Sequence, residues 1–245
     1  IKIFIKIFIM IDIILDMETA DLDDILMLLF SLHNSLINLL GVTVTPGSKE
    51  QINLIGHLLE LCGRPDIQIG SFNINHPKNC VSGMYYKLFG EIPAYTKHIH
   101  VGWQLIRDIN KPGATIVTGA PLKNLGELII NVPDIKIDRW VCQGGYVSDN
   151  MIPEEYPKLE KFKGLDWCNT YNFNGAPKYA LLLIESENIK QKYFVSKNIC
   201  HQMEYTKDKL VKDNNNDIIK NILSVYLEKK DSKKLHDLVA LITAI

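Results

Sequence analysis

The sequence predicts a single α/β domain with a largely parallel, open sheet flanked by helices. Three observations predict it. Short apolar runs of strand length alternate with longer stretches whose apolar residues recur at helical spacing. Polar connections bearing Gly or Pro, such as Thr45-Pro46-Gly47-Ser48 and Gly119-Ala120-Pro121, follow strands and lead into helices, as in βα units. No shift in composition marks a linker, and 245 residues suit one large α/β domain.

In chain order, the apolar run Ile11 to Leu15 is the first strand and the periodic run Asp24 to Leu32 the first helix. Leu39 to Thr45 and Lys49 to Cys62 repeat that strand-helix pair, and Ile67 to Ile69 forms a short third strand. Lys97 to Asn110 has helical spacing. Thr115 to Thr118 and Leu122 to Ile130 make another strand-helix pair, and Trp140 to Cys142 a further strand. Gln143 to Asn172 is long, rich in Gly, Pro and acids, and is expected to be a loop or lid. Helices are expected over Lys178 to Ile184, Asp217 to Glu228 and Lys234 to Ile245, with a polar turn at Asn214-Asn215-Asn216. Trp103, Trp140 and Trp167 are expected in the core or a pocket wall, given their apolar neighbours.

The composition removes several functions. A net charge of -1 gives no bulk electrostatic reason to bind nucleic acid or an anionic membrane. Five scattered cysteines, none spaced Cys-x-x-Cys, argue against a disulfide framework or zinc site and for a reducing, cytoplasmic compartment. Ile1 to Ile9 is apolar but too short for a membrane span, and it has no small-residue cleavage site. Those nine residues are read as an N-terminal extension, Met10 as a natural start, and residues 10–245 as the domain.

The densest chemistry lies where the first strand meets the first helix. Asp16, Glu18, Asp21, Asp23 and Asp24 put five carboxylates into nine positions. Two unit charges about 4 Å apart repel by roughly 4 kcal/mol at an effective dielectric near 20, so such a cluster needs a proton or a cation. Helix capping accounts for Asp23 and Asp24 alone. Asp16, Glu18 and Asp21 are left over, and a hard divalent metal taken up through oxygen ligands is the simplest explanation. Near the other end, His236-Asp237 opens an apolar helix, an arrangement that by itself suits a cap better than a site.

Together these segments resemble the nucleoside hydrolase family of inosine- and uridine-preferring type. Asp16-x-Glu18-x-x-x-x-Asp23-Asp24 looks like the family's Asp-x-Asp-x-x-x-Asp-Asp signature, and His236-Asp237-Leu238-Val239-Ala240 like its His-Asp-Pro-hydrophobic-Ala segment. Between them, Gly41 to Ser48, Thr118-Gly-Ala-Pro-Leu-Lys-Asn124, Gly144-Gly145 and Asn172-Phe173-Asn174 look like four further family motifs in the family's order. The resemblance implies a nucleoside hydrolase-like fold and Ca2+-dependent hydrolysis of the N-glycosidic bond of a ribonucleoside. It implies metal ligation by Asp16, Glu18, Asp24, Asp237 and the Thr118 carbonyl, and sugar contacts from Asp23, Ser48, Asn172 and Asn174. Glu18 is then the expected base, Asp21 the alternative to it, and His236 the expected proton donor to the leaving base because its ordinary pKa lies near neutrality. A nucleoside-salvage role, a homo-oligomer, and no nucleic-acid or membrane partner go with that reading.

The sequence departs from the pattern in places. Its signature is one residue longer, Glu18 stands for Asp, Ser48 for Asn, Asn172 for Glu and Leu238 for Pro, and the chain ends soon after His236-Asp237. A metal-dependent phosphatase would use a similar acidic strand end but needs a cation for phosphate, and the first loop has no Lys or Arg. A nucleoside or ribose binder that has lost turnover is the remaining alternative, and NAD-type ribosides are further substrates that the chemistry would admit.

Overall fold

The computed structural model describes residues 10–212 and 217–245; the extension at residues 1–9 and the turn at residues 214–216 lie outside them. In chain order the elements are β1 (Ile11–Met17), α1 (Leu22–His33), β2 (Ile37–Val44), α2 (Lys49–Leu61), β3 (Gln68–Ser71), α3 (Gly83–Phe89), β4 (Ile99–Val101) and α4 (Gly102–Ile109). They continue as β5 (Thr115–Thr118), α5 (Lys123–Asn131), β6 (Ile137–Gln143), α6 (Tyr171–Asn174), α7 (Pro177–Glu185) and β7 (Ile189–Val195). The C-terminal part adds α8 (Lys197–Cys200), β8 (Glu204–Thr206), α9 (Lys207–Lys212), α10 (Asp217–Leu227), β9 (Ser232–Lys234) and α11 (Asp237–Ala244).

Seven parallel strands form one sheet in the order β4-β3-β2-β1-β5-β6-β7. The chain winds outward from β1 toward β4, then crosses to the far side of β1 and winds the other way. Where the winding reverses, the carboxyl ends of β1 and β5 diverge into a crevice, the usual ligand position in open α/β sheets. Asp16 is the penultimate residue of β1 there, in register with Thr43 on β2 and Thr118 on β5.

Period-two alternation along β1 divides the interior into two cores. Ile13, Leu15 and Met17 pack with α1, α2 and α11 on one face, whereas Ile14 joins Ile116, Leu125 and Trp140 on the other. Asp16 shares the parity of Ile14, which turns a carboxylate toward α5 at a fully buried position.

The structure departs from the expected elements where local pattern misleads. The predicted helix at Lys97–Asn110 begins as strand β4 and becomes helical only from Gly102. Strand β7 was not predicted, because its Lys190, Gln191 and Lys192 give an edge strand polar composition. The last helix starts at Asp237 rather than Lys234, since Ser232–Lys234 pairs antiparallel with Glu204–Thr206. Trp140 is buried as expected, but Trp167 is 74% exposed on the long segment after β6. Two short 3-10 turns, Asp149–Met151 and Glu160–Phe162, punctuate that segment.

Because Leu15 is fully buried at the centre of the sheet, Leu15→Ala should lower the unfolding free energy by about 2–5 kcal/mol in urea titration. Leu181→Ala, on an exposed helix position, should change it by no more than about 0.5 kcal/mol.

Candidate active site

The site grows from the end of β1. Asp16 Oδ1 accepts from Thr43 Oγ1 and from Asn124 Nδ2, both at 2.8 Å, while its buried Oδ2 has no partner. Burial raises the Asp16 pKa to about 7, against the lowering effect of those two donors. The chain then turns into α1, and Asp24 Oδ1 accepts from the Glu18 backbone N–H at 3.0 Å, closing the loop onto the first helical turn. Glu18 itself is half-buried, with a pKa pushed up to about 7 by burial; Tyr171 donates its hydroxyl to Glu18 Oε1 at 3.3 Å.

Asp21 caps α1 by accepting from Leu22 N at 2.6 Å, and its other oxygen meets Lys233 Nζ at 2.8 Å. Its negative charge is therefore spoken for by an ammonium. Asp23, two residues on, is nearly fully buried, and its Oδ2 accepts from the backbone N–H groups of both His236 and Asp237 (2.6 Å for the latter). A carboxylate at the first turn of α11 satisfies orphan donors and the positive end of the helix dipole. At the other end of α11, Arg139 donates to the carbonyls of Ala244 and Thr243 at 2.8 and 3.1 Å. So α1 and β6 grip the last helix at both its termini.

That grip delivers Asp237 to the sheet edge. A Cβ on Gly119 would lie 2.7 Å from Asp237 Cγ, so the carboxylate rests on the bare glycine just after β5. Asp24, Asp237 and Glu18 line one cavity of about 450 Å3, together with Asn172 and His236. Its size is ordinary for a small-molecule pocket. Burial raises the pKa values of Asp24 and Asp237 well above the carboxylate range, with Glu18 adding to the effect on Asp24 and Asp24 to that on Asp237. Asp23 is raised for the same first reason. Among the described residues only Asp21 of this group has an ion pair with a lysine.

The expected site residues are thus partly gathered. Glu18, Asp21, Asp24, Asn172, His236 and Asp237 line the cavity. Asp16 is close enough to raise the Glu18 pKa but is held beneath by Thr43 and Asn124. Thr118 lies one residue before Gly119, its hydroxyl accepting from Trp140 Nε1 at 2.9 Å. Asp16 and Thr118 are thus outside the lining, and so are three more expected residues: Asp23 is spent on α11, Ser48 is buried as the cap of α2, where its hydroxyl accepts from Gln51 N, and exposed Asn174 accepts from Thr170 N. His236 differs from its expected state, for burial and then Lys233 push its pKa down to about 4, leaving the ring neutral near pH 7.

Tyr171, Gln143 and Lys197 also line the cavity and were not singled out from the sequence. Tyr171 directly precedes Asn172, the one signal that pointed toward it. Gln143 ends β6 and accepts from Asn172 Nδ2 through both its carbonyl and its side chain, at 2.9 and 2.8 Å. Nothing in the local sequence marks Lys197.

Among the described residues no three His, Cys, Asp or Glu side chains form a ready-made metal cage. The donors nevertheless suit a hard cation. They are oxygens, they are buried, and Asp16 Oδ2 and Asp23 Oδ1 have no hydrogen-bond donor at all.

Comparison with known proteins bears on this pocket. Residues 13–245 match the family described as inosine-uridine preferring nucleoside hydrolase. An uncharacterized protein of Aquifex aeolicus (strain VF5) is 28% identical over 241 residues, covering 94% of this chain and 80% of that protein. Among solved structures, the inosine-uridine preferring nucleoside hydrolase from Bacillus anthracis aligns with a TM-score of 0.68 at 16% identity, over 96% of this chain and 80% of its own. The purine-preferring ribonucleoside hydrolase from Gardnerella vaginalis aligns at 0.67 and 17%, over 95% and 79%. Both share the fold described above.

Two outcomes follow from this electrostatic arrangement. Asp23→Ala leaves two helix N–H groups unpaired and should cost at least about 2 kcal/mol of unfolding free energy, read by chemical denaturation. The raised carboxylates hold protons in the folded state that the unfolded chain has lost, since Asp16 and Glu18 move from 3.8 and 4.5 to about 7 and Asp24 and Asp237 also rise. His201 and His236, depressed to about 4 from 6.5, have the opposite influence only below their unfolded value. Without divalent ions, Tm should therefore fall as pH rises from about 6.5, where the histidines no longer oppose it, through about 7. A Tm that rises across that interval would contradict the assignment.

Proposed function

The chain belongs to the inosine-uridine preferring nucleoside hydrolase family and is a nucleoside N-glycosyl hydrolase, and from that premise we propose that it cleaves ribonucleosides to base and ribose with a calcium ion in this pocket. One observation carries the reading. Acids from the two ends of the polypeptide, Glu18 and Asp24 on one side and Asp237 on the other, line a single cavity, and none of them has a cationic side chain paired with it among the described residues.

Asp24, Asp237, Glu18, Asp16 and the Thr118 carbonyl would hold the ion, an all-oxygen set of the kind that calcium accepts. Bound there, it would supply Lewis acidity that lowers the pKa of water and offsets the repulsion among the acids. The chain's own groups do the rest. Breaking the C1′–N bond sends its electron pair to the base and leaves positive charge on the sugar, an oxocarbenium-like state that buried carboxylates stabilise. Glu18 takes the proton of the attacking water, whose oxygen bonds to C1′. It is better suited to this than Asp21, whose carboxylate is already engaged by Lys233 and Leu22 N. Tyr171 orients Glu18 through its hydroxyl, and Gln143 fixes the Asn172 amide, leaving Asn172 Oδ1 to accept from a sugar hydroxyl.

His236 is a hydrogen-bond donor to the departing base rather than a store of a full proton, since its ring is neutral near pH 7. That role still withdraws charge from the leaving group. A cytoplasmic setting and a part in nucleoside salvage fit the five free cysteines and the substrate class.

Ribose release from inosine and uridine, followed by reducing-sugar assay, tests this function. EDTA should abolish release and millimolar Ca2+ restore it. Glu18→Gln should lower kcat by at least about 100-fold, consistent with loss of a general base, and Asp21→Asn by much less. Undiminished turnover after complete metal removal would overturn the calcium reading.

A further inference from the structure

Beside its acids the cavity has a lysine in its wall, and two further lysines stand behind His236. Lys197 and His236 line the same space as Glu18, Asp24 and Asp237. The His201 ring stands edge-on to His236 with centroids 5.3 Å apart. Lys161 Nζ contacts His201 Nδ1, and Lys234 Nζ approaches the same nitrogen at 3.5 Å. Beyond burial, the lysines that weigh on His201 are Lys161, Lys234 and Lys197.

Among the described residues none of Lys161, Lys197 and Lys234 is ion-paired with a carboxylate. Lys197 is instead bonded to the Asn169 carbonyl at 2.9 Å and to Cys168 Sγ at 3.5 Å. Asp21, an acid of the cavity lining, is taken by Lys233, and the Glu204 side chain, across the strand pair from Lys234, accepts from Ser232 Oγ. Two ammonium groups meeting at one imidazole, with a third in the adjoining cavity wall, repel one another, and a bound dianion relieves that repulsion as a cation does among the acids. Lysines are point-charge binders of phosphate.

We propose that Lys161, Lys197 and Lys234 form a phosphate subsite and that the preferred substrate is a ribonucleoside 5′-monophosphate. The inference rests on the hydrolase reading above. In a bound nucleotide the anomeric carbon and ring hydroxyls lie toward the carboxylates, and the 5′-carbon carries the phosphate toward Lys197 in the cavity wall and the two lysines beyond His236. The bond cleaved is unchanged. The C1′–N electron pair leaves with the base, water oxygen bonds to C1′, one water proton goes through Glu18 and solvent to the base, and the phosphate ester stays intact, so the products are free base and ribose 5-phosphate.

The test compares inosine with inosine 5′-monophosphate, using wild type and a Lys161→Gln/Lys234→Gln double variant whose folding is checked by circular dichroism. Inorganic phosphate is titrated calorimetrically into both proteins. The expected kcat/KM is at least tenfold higher for the monophosphate, and in the double variant that preference falls at least tenfold while phosphate binding weakens in step. A wild-type preference for inosine, or a preference unmoved by the double substitution, overturns the proposal while leaving the hydrolase intact. Should neither compound be cleaved, the hydrolase reading has failed, and the titration still decides the subsite: phosphate binding that disappears in the variant supports it, and no binding to wild type refutes it.

Discussion

One carboxylate oxygen holds together two segments that lie more than two hundred residues apart in the sequence. Asp23 Oδ2 accepts from the N–H groups of His236 and Asp237, across 213 and 214 residues of sequence. Those donors are the first of α11, and a helix start buried against α1 would leave them orphaned without such a partner. The same bond fixes where Asp237 stands. Its carboxylate comes to rest on Gly119 at the end of β5, facing the Asp24 carboxylate one residue beyond the anchor itself. Neighbouring acids on one helix turn thus divide the labour: Asp23 builds and Asp24 faces the cavity.

The sheet supplies the ground for this division. Reversal of the winding between β1 and β5 opens the crevice, and parity along β1 turns Asp16 toward Asn124 while Leu15 enters the opposite core. The buried acids of the site are costly in isolation, which is why burial raises the pKa values of Asp16 and Glu18 to about 7 and that of Asp24 well above its ordinary value. A cavity floor of that kind is poised for a cation or for developing positive charge, and glycosidic cleavage generates such charge on the sugar.

Much of this was legible in the chain because it was local. Five acids crowded at a strand end, an apolar strand before them and a periodic helix after them carry their meaning within a dozen residues, and β5 was read with its observed bounds. Asp21 and Asp23 were legible as acids but not as partners, since Lys233 and the α11 backbone reach them only after folding. Ser48 read as a sugar contact and is a helix cap, a role that the neighbouring Gln51 could have signalled through the capping-box spacing. His236 read as an acid from its ordinary pKa, whereas burial and flanking lysines depress it. Lys197 and Lys161 had no local signature, because convergence on His201 is a property of the loop path and of α8, not of any run of residues.

The long reach of the Asp23 anchor bears on how the protein comes into being. Its amino-terminal acids emerge from the ribosome first, while the helix that supplies Asp237 is synthesised more than two hundred residues later. The Asp237 carboxylate thus joins the site only once that helix has docked on Asp23, so completion of the pocket depends on long-range folding and not on any local run of residues.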